Sequence, residues 1–211
     1  MIIPVILETD FEEIKRKVSL VENTVTLVQI DFVDGKLTNG LTFLDIYKLD
    51  ELKTPIKFDI HLLVENPLKF LDKKVTNAIK ICSQIEAWDY VDDFIDKAKE
   101  LGYKTGLSLN VPTKIDTVEP YLDRIDFVQF MDVRPGGQGN EFQISVLEKI
   151  EEFRALHSNF PIQVDGGIDK YYLPLVLKAG ANDVVIGSDI FKSANPEQEI
   201  KELMRIERLY D

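Results

Sequence analysis

Short runs of apolar residues alternate along this chain with stretches in which apolar side chains recur every three or four positions. The runs cover residues 2–7, 25–30, 56–63, 78–82, 105–109, 127–131, 162–164 and 184–186, eight in all, each about the length of a buried strand. Helical spacing fills most of the intervals. Residues 10–20 open on Asp10, a residue type that caps helices, and place Phe11, Ile14 and Val18 on one face. Residues 88–101 carry Val91, Phe94, Ile95 and Ala98 at helical spacing and stop at Gly102. Residues 145–156 group Val146, Ile150, Phe153 and Leu156, residues 170–178 end at Gly180, and residues 196–209 predict a closing helix. Between residues 35 and 54 the pattern is weak and predicts a long loop with a short helix.

Strands that are apolar throughout are buried on both faces, and strands alternating with helices pair in parallel. Eight such units within 211 residues predict an α/β fold, a small (β/α)8 TIM barrel spanning residues 1–211 as one domain. No Ser/Gly/Pro-rich spacer marks a boundary. An open doubly wound sheet is the competing arrangement, and it would place a Gly-rich turn after the first strand. Glu8-Thr9-Asp10 stands there instead.

Charge and cysteine content narrow the partners. The formal net charge of −12 argues against a nucleic-acid partner, which needs a basic face. It leaves room for an anionic small molecule, because a few backbone N–H groups hold one phosphate locally. The single cysteine, Cys82, permits no intrachain disulfide. No apolar run approaches the roughly 20 residues that span a bilayer, so no membrane partner is expected. The N-terminus lacks the basic flank of a signal peptide. A cytoplasmic protein is the expectation.

In such a barrel the active site lies at the C-terminal ends of the strands. The second strand delivers Gln29, Asp31 and Asp34-Gly35, the third His61, and the fourth Gln84. The sixth delivers Met131 and then Gly136-Gly137-Gln138-Gly139, the seventh Asp165-Gly166-Gly167, and the eighth Gly187-Ser188. Each has a plainer reading when taken singly: Asp34-Gly35 is a common turn pair, His61 a hydrogen-bonded core group, Met131 core packing. Together they place acids and an imidazole on one side of the rim and glycine-rich turns on the other. Neighbouring glycine turns suit a phosphate. Asp31 and Asp165 come from strands far apart around the ring, so they can face opposite sides of one carbon, as a two-base epimerase requires.

These residues resemble the ribulose-phosphate 3-epimerase family, metal-dependent sugar-phosphate epimerases on a ribulose-phosphate-binding barrel. The resemblance rests on Val5-Ile6-Leu7 with Asp10-Phe11, Asp31-Phe32-Val33-Asp34-Gly35, and Asp59-Ile60-His61-Leu62-Leu63-Val64 with Pro67. It continues through Ile85-Glu86-Ala87, Gly106-Leu107 to Asn110, Met131-Asp132-Val133 with Pro135-Gly136, Val164-Asp165-Gly166-Gly167-Ile168, and Gly180-Ala181-Asn182 to Gly187-Ser188. It implies that Asp31 and Asp165 are the catalytic base and acid. Gln29, Asp31, His61 and Asp165 would surround a divalent ion (Zn, Fe, Mn or Mg). Met131, Gly136, Gly137, Gly139, Gly166, Gly167, Gly187 and Ser188 would contact the sugar phosphate. It also implies a homo-oligomer, since such barrels commonly associate.

The chain departs from the family pattern at particular positions. Gln29 and Gln84 stand where the family has histidines, Val5 where it has serine, and Val33 and Leu63 where it has methionines. Gln138 and Asn140 stand where the sixth loop usually has glycine and glutamine. An amide oxygen at position 29 would favour a harder ion such as Mg²⁺ or Mn²⁺. Two other readings stay open: a sugar-phosphate-binding barrel without activity, favoured by Gln29 and Gln84, and another phosphate-barrel enzyme such as an aldolase or decarboxylase. The latter usually needs a lysine or a metal-bound enolate at the strand ends, and Lys57 and Lys80 lie within strands.

Overall fold

A computed structural model of the protein describes residues 1–132 and 142–210. Eight parallel strands close into a barrel in chain order: β1 (Ile2–Ile6), β2 (Leu27–Val33), β3 (Lys57–Leu63), β4 (Ala78–Gln84), β5 (Lys104–Leu109), β6 (Phe127–Met131), β7 (Ile162–Gly166) and β8 (Asp183–Ile186). Closure is made by β1 and β8, with Ile3 opposite Val185. The eight-run pattern thus gives the barrel predicted from it.

Side chains alternate across each strand. One set, including Val28, Ile30, Phe32, Ile60, Leu62 and Val164, is buried in the main apolar core outside the barrel. The other set points to the barrel axis, and on β2 to β7 it is rich in polar groups: Gln29, Asp31, Asp59, His61, Lys80, Gln84, Gln129, Gln163 and Asp165 are all buried. On the β1 and β8 side Ile3, Val5, Leu27 and Val185 form a separate apolar cluster. The interior is therefore a packed polar column with an apolar flank, and Cβ alternation alone decides which residues enter it.

The helices are α1 (Phe11–Val21), α2 (Val91–Glu100), α3 (Ser145–Leu156), α4 (Leu173–Ala179), α5 (Ser188–Phe191) and α6 (Pro196–Glu207). Asp10 caps α1 by accepting from the Glu12 N–H at 2.7 Å. Gly180 ends α4 in the left-handed region, φ +118°, where glycine carries no Cβ penalty. The crossovers after β2, β3 and β5 carry short 3₁₀ turns, among them Ile46–Glu51 and Pro67–Phe70. Two expectations shift. Residues 170–172 precede α4 because the Asp169 carboxylate takes the N–H groups of Tyr171 and Tyr172 in a turn. Leu156, grouped with the apolar face of α3, is the last residue of that helix and is 61% exposed.

Candidate active site

Register brings the acids together. Asp31 pairs with His61 across β2 and β3, and Met131 with Asp165 across β6 and β7. One oxygen of Asp31, one of Asp165 and a ring nitrogen of His61 lie within 4.8 Å of one another, and all three side chains are buried. The His61 Nδ1 is 3.3 Å from Asp31 Oδ1 and 3.4 Å from Asp165 Oδ2. The Thr42 hydroxyl steadies the end of β2 by donating to the Asp31 carbonyl at 3.1 Å and accepting from the Val33 N–H at 2.9 Å.

Burial and the charge of Asp165 raise the pKa of Asp31, against the hydrogen bonds of His61 and Gln29. Burial works against the charged form of His61, but its hydrogen bonds to Asp165 and Asp31 and their charges prevail and raise its pKa to about 9. In the consistent orientation of the Gln84 amide, its oxygen accepts from His61 Nε2 at 3.0 Å and from the Ser108 hydroxyl at 3.1 Å, while its nitrogen donates to Glu86 Oε2 at 2.8 Å. That bond commits Nε2 as a donor and turns Nδ1 to the carboxylates.

The buried Asp31–His61–Asp165 group could hold a divalent metal ion: two carboxylate oxygens and one imidazole nitrogen are within reach of a common centre. Gln29 is arranged differently from the ligand role the resemblance implies. Its amide nitrogen faces the acids and donates to Asp31 Oδ1 at 2.8 Å and to Asp165 Oδ2 at 2.7 Å. Its oxygen points down the barrel and accepts from Gln163 Nε2 at 2.9 Å. An NH₂ group has no lone pair to offer an ion.

The turns expected to hold a phosphate are described in part. A cleft of about 450 Å³ is lined by Gly167, Ser188, Lys170 and Lys192 together with the acids Asp169, Asp189 and Glu199. Gly187 precedes α5, so Ser188 lies at a helix start. Gly166 has φ +153°, and a Cβ there would come within 1.8 Å of Asp132 Oδ1. The Gly167 N–H is already in use, donating to Asp132 Oδ1 at 2.7 Å. Met131 is buried beside Gln129, whose amide is 3.6 Å from its sulfur. Gly136, Gly137 and Gly139 lie outside the described residues.

From sequence, no site role falls to Asp132, Gln129, Gln163, Lys80 or Lys192. For Gln129, Gln163 and Lys80 the signal was weak: a polar residue inside a strand marks an inward position only once the phase of the strand is known.

Residues 1–191 match the ribulose-phosphate 3-epimerase family. A ribulose-phosphate 3-epimerase of Bacillus subtilis (strain 168) is 32% identical over 208 residues, covering 95% of this chain and 96% of that protein. One of Schizosaccharomyces pombe is 28% identical, covering 96% and 91%. Among solved structures, 3-hexulose-6-phosphate synthase from Salmonella typhimurium shares the fold, with a TM-score of 0.72 at 14% identity, covering 100% of this chain and 99% of the other. A barrel whose late strands end in Gly166-Gly167 and Gly187-Ser188, and whose axis carries Asp31, His61 and Asp165, thus agrees with a match over nearly the whole chain: the protein belongs to the ribulose-phosphate 3-epimerase family.

Proposed function

We propose that the protein interconverts ribulose 5-phosphate and xylulose 5-phosphate by proton transfer at C3. The observation that carries this reading is the convergence of Asp31 and Asp165, from β2 and β7, around one buried point at the C-terminal end of the barrel. Asp31 removes the C3 proton from one face, and the electron pair spreads into the C2 carbonyl as an enediolate. Asp165 then delivers a proton to the other face, and the roles exchange in reverse. A raised pKa at Asp31 suits a base that must also retain the proton. The N–H groups of Gln29 and Gln129 face the carboxylate oxygens and hold them in position.

Asp31, His61 and Asp165 would hold the divalent ion, whether Mg²⁺, Mn²⁺, Zn²⁺ or Fe²⁺. When bound, the ion supplies Lewis-acid polarisation of the sugar oxygens. The cleft at Gly167 and Ser188, with the ammonium of Lys192, takes the phosphate, and residues 136, 137 and 139 complete that grip. The protein works as a homo-oligomer in the cytoplasm.

Incubation with ribulose 5-phosphate in each of the four ions, with a chelated control, tests the reading. Formation of xylulose 5-phosphate is expected, and no conversion in any ion would overturn it. The Gln29 nitrogen seated against both acids favours a second reading, a barrel that binds the sugar phosphate without acting on it. Binding of ribulose 5-phosphate without conversion would select that one.

A further inference from the structure

Beneath the carboxylate pair lies a second charge cluster, with Lys80 and Asp59 buried and Asp183 at its edge, that has no place in the proton transfer. The Lys80 ammonium is 3.2 Å from Asp59 Oδ2 and 3.3 Å from Asp183 Oδ2, and it donates to the Gln163 amide oxygen. An ammonium has donors only, so the Gln163 atom facing it must be the oxygen. The Gln163 nitrogen then points up the axis. Its two hydrogens are shared among Gln29 Oε1 at 2.9 Å, Gln129 Oε1 at 2.7 Å and Asp59 Oδ2 at 3.0 Å. Both upper glutamines are therefore obliged to turn their oxygens down and their nitrogens up. The Gln29 nitrogen meets both carboxylates, and the Gln129 nitrogen lies 3.2 Å from Asp165 Oδ2 and 3.1 Å from His61 Nδ1. The chain of donors is thus fixed from below by one cation and received above by two acids, and the two ends demand the same sense.

We propose that Lys80 is a positioning residue: acting through Gln163, it locks the Gln29 and Gln129 amides as donors to Asp31 and Asp165, and this lock weakens the hold of the site on a divalent ion. Gln29 can supply its oxygen to an ion only by turning over. That would set its nitrogen against the Gln163 nitrogen, donor against donor. This inference rests on the reading that Asp31, His61 and Asp165 seat the ion.

Gln163→Glu tests it with almost no change of shape. A carboxylate at position 163 accepts from Lys80 below and from the two amides above, so both amides invert and Gln29 presents its oxygen to the ion. Titration of the full-length, metal-free protein with Mn²⁺, followed by calorimetry and by Mn²⁺ electron paramagnetic resonance, gives the affinity. Gln163→Glu is expected to tighten Mn²⁺ binding by about 10–100-fold over the unsubstituted protein. The gain should vanish when Gln29→Met is added. Gln163→Met, which introduces no charge, should tighten binding by less, about tenfold at most. Unchanged affinity in both single variants would overturn the proposal. So would a gain in Gln163→Glu that persists with Gln29→Met, since that is the effect of added charge alone. Should Gln163→Glu fail to fold, Gln163→Met decides by itself, with unchanged affinity overturning the lock. His61→Ala separates the underlying reading: Mn²⁺ binding indifferent to His61→Ala would show that the ion sits elsewhere, whatever the glutamines do.

Discussion

The barrel interior holds two acid clusters, one above the other, and they are neutralised in different ways. In the lower layer Asp59 and Asp183 share the ammonium of Lys80, a permanent cation whose pKa rises because the two acids outweigh its burial. In the upper layer Asp31 and Asp165 face no fixed cation but an imidazole and two amide NH₂ groups. Buried carboxylates need a compensating partner in either place. A lysine on a strand closes the lower cluster and makes it part of the scaffold. The upper cluster has no lysine of its own, so its protons and partners can change during a reaction. The same electrostatic problem, solved once with a lysine and once with an imidazole and amide donors, separates structure from chemistry.

The largest effects are expected from breaking the upper layer. Asp31→Asn and Asp165→Asn should each lower epimerisation by about 10²–10⁴-fold while leaving the urea midpoint of unfolding near that of the parent protein, because each relieves a buried like-charge pair. A steady-state assay beside a denaturation curve checks both halves. Breaking the lower layer should do the reverse. Lys80→Met strands Asp59 in the interior and should destabilise the fold by about 3–5 kcal/mol in urea unfolding. Adding Asp59→Leu should restore most of that loss, since removing both partners leaves no lone buried charge.

Most of the fold was legible because it rests on a repeated pattern. Eight apolar runs, Asp10 before α1 and Gly180 after α4 are local signals, and each did locally what its chemistry dictates. The meeting of Asp31, His61 and Asp165 was legible too, since strand ends in a barrel share one rim. The direction of the Gln29 amide was not. It depends on Lys80, 51 positions further along the chain, and on Gln163, further still, and no short-range signal links them. Nor could the sequence say that Asp132 would take the Gly167 N–H, because that bond joins the ends of two neighbouring strands.

Asp132 gives a sharper, smaller test at the border of the upper layer. Burial lifts its pKa from 3.8 to about 7, opposed by the Gly167 N–H and aided by the charge of Asp165. The folded chain then keeps a proton that the unfolded chain releases. The Asp132 contribution to stability should be full below about pH 4, fall as pH climbs to about 7, and stay level above, with a slope of at most about 1.4 kcal/mol per pH unit. Asp132→Asn should reduce the pH slope of stability by that contribution in unfolding curves taken between pH 4 and 8. The smallest effect is expected at the cleft proposed for the phosphate. Ser188→Ala removes one hydroxyl there and should raise KM for the sugar phosphate about fivefold with kcat little changed, the worth of roughly 1 kcal/mol.

Isotope exchange at C3 bears most directly on the upper cluster. With ribulose 5-phosphate in deuterium oxide, nuclear magnetic resonance should show deuterium entering C3 with the parent protein and none entering with Asp31→Asn or with Asp165→Asn. Deuterium incorporation that continues in both variants would contradict the assignment of proton transfer to these two carboxylates.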